Sequence, residues 1–270
     1  MLKIEANWLD LRYLDAISTQ DTLIHRLNPC VKLITTLVFI IAVTSSSKYE
    51  ITGLLPFFLF PAVLVALGNL PLSLILKRLL IIAPFIVFIG IFNPLIDHTP
   101  VINIGSLVIS GGWISFVSLT IRLCLTVTTA LILVATTGID ALCLALLKIG
   151  VPKIIVTQLL FMYRYIHVLV EEFVRCITAY SLRSFHGEGV QFRAWGSLLG
   201  QLLLRSIDRA NRIYQAMLCR GFDGEVRLLR TRTLTGADII YLIFWVTFFM
   251  VGRWFNLPQL LGNLLMGVYK

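Results

Sequence analysis

The chain has 270 residues, of which 58% are hydrophobic and 14% charged, with a mean hydropathy of +0.89, whereas soluble domains carry about 25% charged residues. This excludes an ordinary soluble globule and reads as an all-α integral membrane protein, with room for several spans of roughly 20 residues each. The formal net charge of +9 is a topology signal in such a protein, because Lys and Arg collect in cytoplasmic segments, and no nucleic-acid partner is expected.

Residues 1–29 read as a cytoplasmic N-terminal segment. They mix both charge signs without a continuous apolar stretch, so no cleaved signal peptide is expected. Asn28-Pro29 is a helix start, with Asn suited to cap free amides and Pro to the first helical position, and a first span follows from Cys30 to about Ser47. ITGLLPFFLFPAVLVALG supplies the second, Pro56 and Pro61 being tolerable in a membrane helix. Lys77 and Arg78 mark a boundary, and a third span bent at Pro84 is expected over about Leu79–Ile96. The loop DHTPVINIGSLVISGG has neither Lys nor Arg, and a fourth span runs from about Trp113 to Thr137. Residues 30–137 thus form a four-helix membrane section. Residues 233–270 hold the fifth span, about Ala237–Phe255, and a C-terminal segment. The positive-inside rule orients the whole. An inside N-terminus puts Lys77, Arg78 and the basic stretch 138–232 inside, and the loop without basic residues outside, in the cell (inner) membrane.

The stretch 138–232 is too charged to span a bilayer throughout and too helix-prone to be a loop. Pro152 opens a helix to about Ser184 in which Leu159, Tyr163, Ile166, Val170, Phe173, Ile177 and Tyr180 recur at helical spacing. Glu171 and Arg175 are spaced to pair on its flank. A second helix runs from about Phe192 to Arg220. Its stripe of Leu199, Leu203, Ser206, Ala210, Ile213 and Met217 adjoins a basic side, where Arg205, Arg209, Arg212 and Arg220 fall within about 80° of one another. Asp208, four residues before Arg212, is placed to orient it.

The two helices end alike, in RSFHGE (residues 183–188) and RGFDGE (220–225). Arg complements the negative end of a helix dipole, and a small residue suits the cap. Neither argument explains why Phe, Gly and Glu recur at the same offsets. Two equivalent docking ends for two equivalent grooves would, and a pair of ATPases offers such grooves by symmetry. The chain has no GxxxxGK[ST] phosphate loop, so ATP would have to be used elsewhere.

LNPCVKL, GIDALCLALLKIGVPKIIVTQLLFMYRYIHVLVEEF and RANRIYQAMLCRGFDG together resemble the transmembrane T component of energy-coupling-factor (ECF) transporters, in the cobalt-type CbiQ branch. The resemblance implies about five transmembrane helices plus two long crossing cytoplasmic coupling helices. Each coupling helix would end in an Ala-Arg-Gly-like signature that docks into one of two ATP-binding-cassette (ABC) ATPases. By position the signatures fall on Leu182-Arg183-Ser184 and Cys219-Arg220-Gly221, both departing from the common Ala at the first residue. The resemblance further implies a non-catalytic subunit that binds no cofactor. ATP and Mg would be held by the partner ATPases, and motion would pass to a substrate-binding membrane subunit importing a micronutrient, cobalt or nickel ion by analogy. Arg164, Glu171 and Glu172 match family positions and would brace the coupling helices, as would Arg209 and Arg212 on the basic side; an ordinary solvated or paired helix face accounts for them equally well.

Other classes have less to stand on. The alternative is a membrane-embedded enzyme or channel with a basic cytoplasmic section, yet the sequence has no HExxH, GxSxG or clustered acidic motif. Arg122 lies deep in the fourth span with no acidic residue in that span, which favours a structural role over ion conduction. His25, His98, His167 and His186 are scattered, and the five cysteines include no CxxC pair, so neither metal site nor disulfide framework is expected. Arg227, Arg230 and Arg232, ahead of the last span, suit contact with anionic membrane lipid.

Overall fold

The computed structural model describes residues 20, 22–46, 52–92, 94, 100–104, 107–183, 190–224 and 233–254. The chain forms two compact units, Met1–Ala145 with Arg232–Lys270, and Leu146–Thr231.

The first unit is a helical bundle. A short α1 (Leu23–Arg26) precedes α2 (Pro29–Thr44), which starts as its sequence dictates: Pro29 takes the first helical position and the Asn28 side chain accepts from the Cys30 amide at 3.0 Å. The second apolar run divides into a 3-10 segment (Thr52–Phe58, containing Pro56) and an α-helix, α3 (Leu59–Gly68). Two prolines explain the division. Pro56 falls inside the tighter turn, while Pro61 is the third residue of α3, where an amide has no intrahelical partner to lose. α3 stops at Asn69, whose φ of 49° lies in the left-handed region.

α4 (Leu72–Gly90) begins earlier than the sequence reading placed it, so Lys77 and Arg78 sit within the helix rather than ahead of it. Leu72, Leu76, Leu80, Ile81, Phe85 and Phe88 leave a broad exposed apolar face along it. Such a face suits lipid, where every backbone group must be satisfied within the helix. The expected loop after α4 instead contains a two-stranded antiparallel hairpin, β1 (Pro100–Ile104) and β2 (Leu107–Ser110), with Ile104 opposite Leu107 and Ile102 opposite Ile109. Its Val- and Ile-rich sequence has the β-branched composition strands favour.

α5 (Gly111–Thr137) is the longest helix of this unit and ends at Gly138, φ +74°. α6 (Ile139–Ile149) follows, and α9 (Gly236–Trp254) closes the bundle. α2 packs on both α5 and α9, and α4 on α5. At the centre Phe39, Phe57, Phe60, Trp245 and Phe249 bring together α2, the 3-10 segment, α3 and α9, with Phe60 4.7 Å from Trp245 and 5.1 Å from Phe249 between ring centroids. Inside a membrane the solvent is as apolar as these rings, so close packing rather than water exclusion holds the bundle. Each edge-to-face pair contributes about 0.5–1.5 kcal/mol beyond burial.

Among the described residues three helices are long and apolar enough to cross a membrane, α5, Lys153–Arg183 and α9, with shorter apolar helices at Pro29–Thr44 and Thr52–Gly68. Arg122, within α5, donates to Ser118 Oγ one turn earlier at 3.0 Å.

Candidate functional site

The second unit is built on α7 (Lys153–Arg183) and α8 (Phe192–Cys219), close to the limits read from sequence. α6 leads into them through a glycine-made stop. Gly150 has φ +109°, its amide reaches Leu147 O, and the Val151 amide reaches Leu146 O. Pro152 O then accepts from the Ile155 and Val156 amides to begin α7.

α7 and α8 run antiparallel. Phe173 meets Trp195 near the end of α7, and Phe161 meets Phe222 near its start. Between these contacts Glu172 crosses to Arg205 at 2.8 Å and lies 3.9 Å from Arg209. Glu172 is half-buried while both arginines are more exposed, so the carboxylate end of this charge-assisted cluster is less screened than in most surface pairs. Toward the start of α7 the helices stand apart around a groove of about 700 Å³, lined by Phe161, Tyr165 and Leu169 on one side and Ala210, Ile213 and Met217 on the other.

This seam corrects the sequence reading in two ways. Of the α7 stripe Leu159, Tyr163, Ile166, Val170, Phe173, Ile177 and Tyr180, Phe173 meets α8, at Trp195; the seam also uses Phe161, Tyr165, Leu169, Glu172 and Cys176, which the stripe did not include. α7 is apolar on more than one side, and periodicity alone does not choose between sides. On α8 the expected stripe holds for Ser206, Ala210, Ile213 and Met217, whereas Leu199 and Leu203 are exposed.

The two signature ends differ in what surrounds them. Leu182 is 82% exposed and Arg183 is exposed at the last residue of α7; Ser184 lies outside the described residues, as do Phe185, His186, Gly187, Glu188 and Glu225. Cys219, Arg220 and Gly221 are all exposed at the end of α8. Here the chain stops in a Schellman turn: the Phe222 amide bonds Met217 O and the Gly221 amide Leu218 O, both at 3.0 Å, with Gly221 at φ +78°. Phe222 folds back onto Phe161, and Thr157 Oγ1 donates to Gly224 O at 3.4 Å. Phe222 is therefore an internal anchor for this ending rather than a free docking group.

Of the expected braces, Glu172 and Arg209 come together, joined by Arg205, which sequence reasoning had placed on the basic side without a partner. Arg164, Glu171 and Arg212 stand exposed outside that cluster. Glu172 was separable from Glu171 only by knowing the seam.

The cobalt transport protein family, CbiQ, matches residues 20–230. This chain belongs to that family. Among individual CbiQ-family relatives, the energy-coupling factor transporter transmembrane protein EcfT of Bacillus subtilis is 31% identical over 242 residues, 80% of this chain and 88% of the relative. The protein of the same name from Ruminiclostridium cellulolyticum is 29% identical over 249 residues, 84% and 92% of the two chains. The cobalt transport protein CbiQ of Rhodobacter capsulatus is 31% identical over 94 residues, 34% and 38% of the two. This is a family of membrane components of transporters, and the apolar helices of this member place it in a membrane.

Proposed function

We propose that this protein is the non-catalytic T subunit of an ECF-type ABC importer, carrying ATP-driven motion of two ATPase subunits to a separate substrate-binding membrane subunit. The observation that carries the proposal is the antiparallel α7–α8 pair with an exposed arginine at each far end. α8 has 28 residues, and a helix of that size is about 42 Å long. Arg183 and Arg220 are thus separated by the length of the pair, as two ATPases side by side require. Glu172 with Arg205 and Arg209 stiffens the pair midway.

The same pairing supports a cytoplasmic place for α7, although its apolar window would allow a span. Its mean hydropathy of 1.3 is the lowest of the three candidate helices. α8 is joined to it through Trp195 and Arg205 and brings Arg205, Arg209, Arg212 and Arg220, charges that are costly in hydrocarbon. ATP and Mg are assigned to the ATPases. The cargo we assign is a cobalt or nickel ion held by the substrate-binding subunit, a reading supported by the description of the family.

The test is capture of the ABC ATPases of the same cell by the tagged protein in detergent. Wild type is expected to bring them down, and Arg183→Glu with Arg220→Glu to lose them while remaining monodisperse. Undiminished capture by the charge-reversed protein would reduce both endings to helix caps.

A further inference from the structure

The turn Asn28–Lys32 makes three contacts with parts of the chain more than a hundred residues away. Lys32, 5% exposed, donates from Nζ to Thr136 O at 3.0 Å. Thr136 lies in the last turn of α5, where carbonyls lack intrahelical partners and a cation complements the dipole. Cys30 Sγ lies 3.9 Å from Ala145 O in α6. The Asn28 amide donates to Asp238 Oδ1 at 2.9 Å, and the other oxygen of Asp238 accepts from the Thr235 amide at 2.8 Å. Asp238 is 3% exposed in the first turn of α9.

These partners flank the coupling section in sequence. Thr136 and Ala145 are where the chain leaves the membrane bundle for residues 146–231, and Asp238 is where it has returned. One short turn therefore holds the exit and the return of the chain together, using a buried ammonium and a buried carboxylate that would be costly without such partners.

We propose that Asn28–Lys32, with Asp238 and Thr136, is the mechanical anchor through which movement of the coupling section reaches the membrane bundle. Lys32 and Asp238 are positioning residues for that transmission. A pull on either connection acts on the start of α2, and α2 packs on both α5 and α9. Without the anchor, the connections could shift while the bundle stays still.

This inference rests on the coupling function proposed above, and its test separates the two. The complex with its ATPases is captured, and hydrogen exchange is followed with and without ATP over residues 59–68 and 111–120, which contain none of the substituted positions. Wild type and Lys32→Arg, which keeps a donor, are expected to show an ATP-dependent change there. Lys32→Met and Asp238→Ala should still bind both ATPases but show that change reduced on the order of tenfold, the scale of one lost charge-assisted hydrogen bond. Should either fail to fold, Lys32→Gln and Asp238→Asn, which each retain part of the bonding, are expected to give a smaller loss in the same direction. A full ATP response in variants that bind the ATPases overturns the anchor and leaves the coupling function standing. A wild type that captures no ATPase overturns the coupling function first and the anchor with it, and is recognised by the absence of capture before any substitution is made.

Discussion

Arg183 and Arg220 share a residue type and a place at a helix end, but their immediate settings make different demands. Gly221 next to Arg220 holds φ +78° with open space where a Cβ would stand. Ala there meets no clash and only backbone strain, so Gly221→Ala should cost about 1 kcal/mol and Gly221→Asn less. A thermal unfolding series on the purified protein checks this order. Arg220→Lys keeps the charge and loses the planar fork, and ATPase capture is expected to fall well below wild type without vanishing. Cys219 offers a native probe at the same place. Burial pushes the Cys143 thiol up, and the neighbouring Asp140 adds to the shift, so less reactive thiolate is present at neutral pH. Exposed Cys219 should take a maleimide at pH 7.5 while buried Cys143 remains unlabelled, and bound ATPase should slow the labelling of Cys219. Equal labelling with and without ATPase would place the partner elsewhere.

At the scale of elements, the α7–α8 pair depends on Glu172 in the middle and Phe222 at one end. Removing the carboxylate by Glu172→Ala should cost about 1 kcal/mol, since both arginines are well exposed and screened. Phe222→Ala removes a half-buried ring from Phe161 and should cost about 1–2 kcal/mol while leaving Arg220 in place. Proteolysis of the second unit reads both, with faster cleavage expected in each variant. The limits of α7 and α8 and the Asn28-Pro29 start of α2 were legible because caps, prolines and glycines act within a turn of where they are written. The seam was legible on α8 at Ser206, Ala210, Ile213 and Met217 but on α7 only at Phe173, because α7 is apolar on several sides. The 3-10 segment at Pro56 escaped for a related reason: an apolar run gives the same hydropathy whatever its pitch. The hairpin after α4 has no helical period to mark it, although its Val and Ile favour strands.

For the whole molecule, the membrane assignment follows from composition, whereas the orientation is proposed from where the arginines sit. The link between Asn28 and Asp238 was not visible, since nothing local marks a contact across 210 positions. The available signals were slight: a lone Lys32 at the start of an apolar helix and a lone Asp238 at the start of another. Orientation has a direct check. Cys219 should be labelled by a membrane-impermeant maleimide in inverted vesicles and not in intact cells; labelling in intact cells would reverse the topology.

Two separate docking ends on one chain, as proposed, fix a stoichiometry that native mass spectrometry without nucleotide reads. The wild-type complex is expected to carry two ATPases, Arg183→Glu one, Arg220→Glu one, and the double variant none. Two ATPases retained on the double variant would contradict it.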